Sequence, residues 1–127
     1  MSIKTRDQLR AKLVFENIQS LLNDNYLSEK YGSLALNAPA LIRNCGLMQT
    51  LAFFQAKNEN QHLTFLRHLQ NELQEIGSLS STQELLAYTM DCNLNNYMHL
   101  SKEVLALCQW HKRFSQSILK AQTGGGN

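Results

Sequence analysis

Proline, glycine and strand-forming patterns are scarce in this chain of 127 residues, which contains one proline and six glycines. Three of the glycines stand together near the end of the chain, so the remainder holds few residues that break helices. No segment alternates apolar and polar residues between turn signals, as a half-buried strand does. No apolar run approaches the roughly 18 residues that a membrane span requires. These absences argue against a β-rich protein and against a membrane-spanning one.

Cysteine usage and net charge narrow the function classes further. Cys45, Cys92 and Cys108 are an odd number of thiols without paired spacing, which favours reduced cysteines in a cytoplasmic protein. We expect no secretory signal peptide before the first helical pattern. The net charge is only +2, so any contact with nucleic acid must use a local strip of cations rather than the field of the whole protein.

Helical periodicity dominates the chain and predicts an all-α fold. We expect one compact bundle of five or six helices over residues 1–120, followed by a flexible glycine-rich tail over 121–127. Pro39 suits the first turn of a central helix that is apolar on nearly every side, and Ser81 and Glu84 resemble a capping box. The predicted helices are about 2–22, 26–36 with a break at Gly32, 39–57, from beyond Asn60 to Gly77, 81–90 and 93–120.

Residues with catalytic or metal-binding chemistry are too dispersed to indicate an active site. Glu72 and Glu75 are the closest pair of carboxylates on one helix, and we expect both to be surface charges away from the apolar stripe. Cys108 and His111 have the spacing of two zinc ligands, but the sequence offers no second pair. His111 is therefore interpreted as a hydrogen-bonded core histidine. We predict no enzymatic activity, no metal and no cofactor.

Two histidines and one tryptophan allow functional as well as structural interpretations. His62 lines up with the apolar stripe of the fourth predicted helix and His68 lies off it, so either could serve a metal-free nuclease. Trp110 lies at the border of an apolar face, where an indole usually covers the edge of the core and donates its N–H outward. The alternative for Trp110 is stacking on a base.

The last predicted helix carries a basic stripe opposite its apolar face. The stripe falls within an arc of about 60° and runs for roughly 27 Å without an acid. Cations in such an arc can neutralise phosphates, and glutamines can donate to phosphate or sugar oxygens. Both an RNA backbone contact and a solvated face fit this pattern. The stripe consists of Lys102, Gln109, Arg113, Gln116 and Lys120, with Lys112 on its flank.

A second arc is predicted on the central helix. Arg43, Gly46, Thr50 and Lys57 fall within about 60° of each other, with the two cations about 21 Å apart. Glycine inside a helix costs about 0.5–1 kcal/mol relative to alanine, so we expect another backbone to use the gap at Gly46. That backbone is either a neighbouring helix of the same fold, or an RNA strand or partner subunit.

The start of the chain is also basic. The first predicted helix has four cations against one acid, and two of the cations share a face. Such a patch is interpreted as a solvated helix end. The residues are Lys4, Arg6, Arg10 and Lys12, with the acid Asp7.

Two segments of the chain resemble a known family. The run from Pro39 to Phe53, Pro-Ala-Leu-Ile-Arg-Asn-Cys-Gly-Leu-Met-Gln-Thr-Leu-Ala-Phe, is similar to the hallmark segment of the small α-helical subunit of type III-B CRISPR effector (Cmr) complexes. The family pattern often has Asn directly before the glycine, where this sequence has Cys45. The last helix resembles the same family through Tyr97, Met98, Leu105, Trp110, Arg113 and Phe114.

The resemblance implies a non-catalytic, cytoplasmic subunit of an RNA-guided ribonucleoprotein in antiviral defence. Its implied partners are the backbone and large Cmr subunits, further copies of itself, the guide RNA and the single-stranded target RNA, with no membrane partner. It supports the helices rather than each cation. The candidate RNA contacts are Arg43, Lys57, Lys102, Lys112, Arg113 and Lys120.

A rival interpretation is a pure protein–protein interaction module with no direct RNA contact. It expects apolar side chains such as Leu47, Phe54 or Trp110 to be partly exposed for partner helices.

Overall fold

The computed structural model describes residues 4–121, and within that range it contains six α-helices and no strand. The predicted all-α fold is confirmed. The first two residues of the first predicted helix and most of the predicted tail, residues 122–127, lie outside the described residues. None of the described helices combines the length and apolar character that crossing a bilayer requires. The helices are α1 Arg6–Gln19, α2 Asn25–Cys45, α3 Leu47–Lys57, α4 Asn60–Ile76, α5 Leu85–Asp91 and α6 Leu94–Ser117.

The second helix differs most from the prediction, because it continues through both Gly32 and Pro39. Gly32 is not a break: a Cβ at this position would lie 2.9 Å from the Cβ of Ala121, so glycine lets the segment after α6 pass close to α2. Asn37 is not a cap, since its side chain donates to the carbonyl oxygen of Ser33 inside the helix. Tertiary packing therefore overrides the expected helix start at Pro39, which is buried.

The fifth helix begins later than predicted. Glu84 is its N-cap, and its carboxylate accepts hydrogen bonds from the N–H groups of Leu86 and Ala87. The expected capping box at Ser81 is therefore wrong, because Glu84 caps the helix directly instead of closing a box from inside it. By contrast, α6 begins as predicted, with Asn93 as its N-cap.

The core forms around α2, which contacts α3, α4 and α6, while α1 covers α4 and α6. Early in α2, Tyr31 contacts His111 late in α6. Just after α2 ends, the N–H of Met48 donates to the hydroxyl oxygen of Tyr97, near the start of α6. The two helices are therefore antiparallel. The fully buried apolar side chains include Val14, Ile18, Ala35, Leu51, Phe54, Phe65, Leu73, Val104 and Leu107.

Candidate nucleic-acid interface

The basic stripe on α6 is present along most of its predicted length. Lys102, Arg113 and Gln116 are exposed and Gln109 is half-buried, all on the face opposite the buried side chains of the helix. Among the ion pairs within residues 4–121, none involves Lys102 or Arg113. These four residues are called the α6 stripe below. Its cations and amides are available to a ligand.

The α6 stripe is free of acids because the single acid of α6 is turned to the other side. Glu103 is 6% exposed and accepts hydrogen bonds from Arg6 Nε at 2.8 Å and Arg10 Nε at 2.5 Å. Burial raises the pKa of Glu103, but the hydrogen bonds from Arg10 and Arg6 outweigh it, and the net pKa is lowered. The expected solvated patch is therefore wrong for Arg10, whose side chain is only 19% exposed, while the Arg6 side chain remains 53% exposed although it also pairs with Glu103. Both cations join α1 to α6.

Lys120 does not belong to this stripe. The helix ends at Ser117, and Lys120 follows with a φ of 60°, so the helical arc that predicted its position ends before it. Lys120 is exposed. Lys112 is half-buried on the flank of the stripe, as its helical position predicts.

The predicted arc on the central helix is wrong, because Gly46 separates two helices. Its φ of 87° and ψ of 162° lie in a region that only glycine adopts readily, so glycine is used for backbone conformation. Among residues 4–121, a Cβ at Gly46 would meet nothing within 4 Å, so no described backbone segment approaches there. Thr50 is buried and donates its hydroxyl to the carbonyl oxygen of Gly46 at 2.8 Å.

The two cations of that arc consequently lie on different helices. Arg43 is exposed in the last turn of α2, and Lys57 is exposed in the last turn of α3. The ammonium of Lys57 lies 5.5 Å from the ring centroid of Phe53, a cation–π contact. The six candidate cations thus occupy α2, α3, α6 and the segment after α6, and only Lys102, Lys112 and Arg113 share one helix.

Trp110 is half-buried at the edge of the core, as expected. Its indole N–H donates to Asp7 Oδ1 at 3.0 Å, and its ring stacks on Phe114 with the centroids 5.3 Å apart. The hydrogen bond from Trp110 lowers the pKa of Asp7, against a smaller opposing effect of burial. The indole therefore joins α6 to α1.

A buried polar network, which the sequence did not predict, lies between α1, α2, α4 and α6. Glu72 is 0% exposed, and its carboxylate oxygens lie 2.9 and 3.0 Å from His111 Nε2. Asn17 Nδ2 donates to the same carboxylate at 2.8 Å. The hydroxyl of Tyr31 lies 3.1 Å from His111 Nδ1 and 2.8 Å from His68 Nδ1. The expectation that Glu72 is a surface charge is wrong, and the interpretation of His111 as a hydrogen-bonded core histidine is confirmed.

The buried network could have been predicted from the sequence if the buried face of α4 had been assigned correctly. The predicted apolar stripe of α4 consists of Leu63, Leu66, Leu69, Leu73 and Ile76. Leu69 and Leu73 are buried, but Leu63 is 37% exposed and the buried face is centred on Phe65 and Leu69. Residues three and four positions apart share a face, which puts His68 and Glu72 beside them. His68, expected off the apolar stripe, is accordingly buried.

The buried network and the Cys108 thiol are shielded from solvent, whereas Cys45 is exposed and Cys92 is half-buried. Glu72, Tyr31 and His111 are completely buried, so no substrate can reach them. Burial, assisted by the charge of Glu72, raises the pKa of the Cys108 thiol, which keeps it protonated. No three His, Cys, Asp or Glu residues among positions 4–121 are grouped closely enough to hold a metal ion.

Of the three apolar side chains that the rival interpretation expected to be partly exposed, only Trp110 is. Leu47 and Phe54 are each 1% exposed, so that expectation is wrong for both. Instead, Met90 in α5 and Leu94 and Met98 in α6 are 64%, 72% and 50% exposed. These three residues are called the methionine face below.

Comparison with known proteins adds a family context. The model of the family described as CRISPR-associated protein (Cas_Cmr5) matches residues 6–118. The Cmr subunit Cmr5 of the CRISPR system of Thermus thermophilus is 30% identical over 118 residues, which cover 93% of this chain and 99% of that protein. The crystal structure of a CRISPR-associated Cmr5 family protein from the same organism superposes with a TM-score of 0.70 at 29% identity, covering 92% of this chain and 99% of that one.

Proposed function

Because this chain belongs to the Cmr5 family of CRISPR-associated proteins, we propose that it is the small subunit of a type III-B Cmr ribonucleoprotein in antiviral defence. In this proposal it stacks with other Cmr subunits and with further copies of itself. It also helps to line the groove that holds guide RNA and single-stranded target RNA. RNA cleavage belongs to other subunits, and the three unpaired thiols suit a cytoplasmic complex.

The α6 stripe is the observation that carries the RNA contact. Lys102 and Arg113 lie three turns apart, about 16 Å along the helix axis, with Gln109 between them. A surface that repeats a charge or an amide every one to two turns can follow a phosphate backbone without reading bases. Further candidate contacts are Arg43, Lys57, Lys112 and Lys120, which the proposal treats as secondary because they lie off this line.

The test is the salt dependence of RNA affinity. In the double variant Lys102→Gln with Arg113→Gln, two positive charges are removed while each position keeps a polar, uncharged side chain. For single strands each lost contact lowers the slope of log affinity against log salt by about 0.7, so we expect a decrease of about 1.4. Fluorescence anisotropy with single-stranded RNA, on the full chain alone and assembled with the other Cmr subunits, measures this slope.

A matched control variant loses two positive charges outside the α6 stripe. Lys4 and Lys12 are exposed on or beside α1, and their double replacement by Gln is expected to leave the slope nearly unchanged. Equal slopes for both double variants would contradict an RNA contact at the α6 stripe. RNA cleavage by the pure chain, with or without a chelator, would contradict the non-catalytic role.

A second candidate function is a subunit that contacts only protein, and the methionine face favours it. Methionine adapts its shape to different partners, and Leu94 and Met98, four positions apart on α6, share one exposed face of that helix, with Met90 exposed on the preceding helix. Leu94→Ser with Met98→Ser is expected to weaken copurification with the other Cmr subunits about tenfold. Leu22→Ser, at another exposed leucine, is the control. Loss of assembly together with an unchanged salt slope in the α6 variant would favour this function.

A further inference from the structure

A polar pocket of about 310 Å³ lies between α2 and the first turn of α4, away from the α6 stripe. Its walls combine cationic, amide and hydroxyl side chains with an imidazole and one carboxylate. They are formed by Glu29, Lys30, Ser33, Leu34, Asn37, Gln61 and His62.

The start of α4 gives this pocket a positive end. The helix begins after Glu59, whose side chain makes no cap hydrogen bond to the first-turn N–H groups. Those N–H groups have no partner within the helix and carry the positive end of the helix dipole. A helix start of this kind binds anions when other groups at the site also favour one.

His62 is the second feature that indicates a ligand. Its side chain is 10% exposed, and its Nδ1 atom is buried without a hydrogen-bond partner. The ring packs against Phe54 with the centroids 5.6 Å apart, which holds its orientation. The nearest carboxylate oxygen, Glu59 Oε1, is 3.5 Å away at the start of the helix. Nδ1 is therefore directed toward the helix start, where a better-placed oxygen would satisfy it.

Two lysines and two glutamates lie in or beside the pocket. Lys30 lines the wall. Burial lowers the pKa of His62, Glu59 opposes this effect, and the nearby Lys57 adds to it. Glu29 and Glu59 are the acids, and the side chain of Glu59 is 60% exposed. Glu59 and Lys57 are near His62 but do not line the pocket, so displacement of the exposed Glu59 side chain would leave Lys30, His62 and the helix start facing the carboxylate of Glu29.

We propose that this pocket binds a phosphate group, whose oxygen takes the position of the Glu59 carboxylate beside His62 Nδ1. The inference rests on the proposed RNA contact of the chain, which makes the ligand a phosphodiester of single-stranded RNA. The first-turn N–H groups of α4 and the His62 ring donate to the phosphate, and Lys30 and Lys57 neutralise it. The pocket is a second RNA contact, on a different face from the α6 stripe.

The experiment combines backbone amide NMR of the full chain with three variants. Addition of single-stranded RNA is expected to shift the amide signals of residues 60–62. Lys30→Gln and His62→Phe are each expected to lower RNA affinity, the latter about tenfold because it removes a hydrogen bond to a charged group while keeping a ring against Phe54. Glu59→Gln is expected to raise affinity roughly two- to fivefold, because it removes the competing anion.

The outcomes separate this inference from the proposed function. If RNA shifts the signals of Lys102 and Arg113 but not those of residues 60–62, the pocket is not an RNA contact and the α6 stripe remains one. If inorganic phosphate shifts residues 60–62 and RNA does not, the pocket takes only a free anion and the RNA assignment is overturned. If RNA shifts neither region and binds neither the chain nor its complex, both proposals are overturned. Lys30→Gln and Glu59→Gln alter surface residues, so they keep the test valid if His62→Phe does not fold.

Discussion

Acidification is expected to destabilise this protein through His68. The side chain is buried, its Nδ1 lies 2.8 Å from the hydroxyl of Tyr31, and it faces the positive charge of Arg67 and the ring of His111. Burial, followed by the effects of His111 and Arg67, lowers the pKa of His68 from 6.5 to about 4. The unfolded chain therefore takes up a proton at a pH where the folded protein does not.

The difference in proton uptake determines how the free energy of unfolding changes with pH. The free energy of unfolding falls as the pH decreases below 6.5, since the unfolded state is then stabilised by protonation, and the loss is complete below about pH 4. Each pKa unit corresponds to about 1.4 kcal/mol, so the total is about 3 kcal/mol. Between about pH 7.5 and pH 5 the expected loss is about 2 kcal/mol.

Urea unfolding followed by far-UV circular dichroism measures this loss. For a domain of this size, about 2 kcal/mol corresponds to a shift of roughly 1 M in the urea midpoint. His68→Gln keeps a hydrogen-bonding group near Tyr31 but does not titrate, so its midpoint is expected to change less between the two pH values. His99→Gln, at an exposed position of α6, is the matched control. If the midpoints of wild type and His68→Gln fell in parallel with pH, His68 would not be the group responsible.

Two further predictions concern stability. Glu72→Leu leaves the Nε2 atom of His111 without its buried acceptor, so it is expected to lower the free energy of unfolding in urea by about 3 kcal/mol. The control Glu75→Leu, at an exposed position of the same helix, is expected to lower it by less than about 0.5 kcal/mol. Similar losses in both variants would show that the buried carboxylate is unimportant. Gly46→Ala is expected to lower the free energy of unfolding by about 1–3 kcal/mol, because alanine is strained at a φ of 87° and ψ of 162°. The neighbouring exposed Asn44→Ala is its control, and an unchanged urea midpoint for Gly46→Ala would contradict the role of the glycine.

Two glycines show where sequence patterns are insufficient to predict backbone conformation. The patterns predict that Gly32 breaks a helix and that Gly46 admits a neighbouring backbone, but the structure reverses these roles. Both expectations follow from the same property, since glycine permits either a positive φ or a close approach. Which of the two applies depends on the segment that packs against the residue: Ala121 lies beside Gly32, and no described residue lies within 4 Å of a Cβ at Gly46.

Charged residues show the same limitation in the candidate interface. Helical periodicity correctly puts Lys102 and Arg113 on one exposed face of α6. It treats Arg6 and Arg10 as equally available, although both are paired with Glu103. Periodicity identifies which residues share a face of one helix, but an ion pair between α1 and α6 depends on how the two helices are arranged.

Patterns within the chain are enough to show that it is helical, that its last helix separates an apolar face from a basic stripe, and that it resembles the small Cmr subunit. These properties depend on residues a few positions apart, or on segments compared one at a time. The packed fold was needed to show that Glu72 and His68 are buried, that Gly46 ends one helix and begins another, and that His62 faces a pocket at the start of α4. The difference arises because burial, charge pairing and backbone approach are set by neighbours distant in the chain.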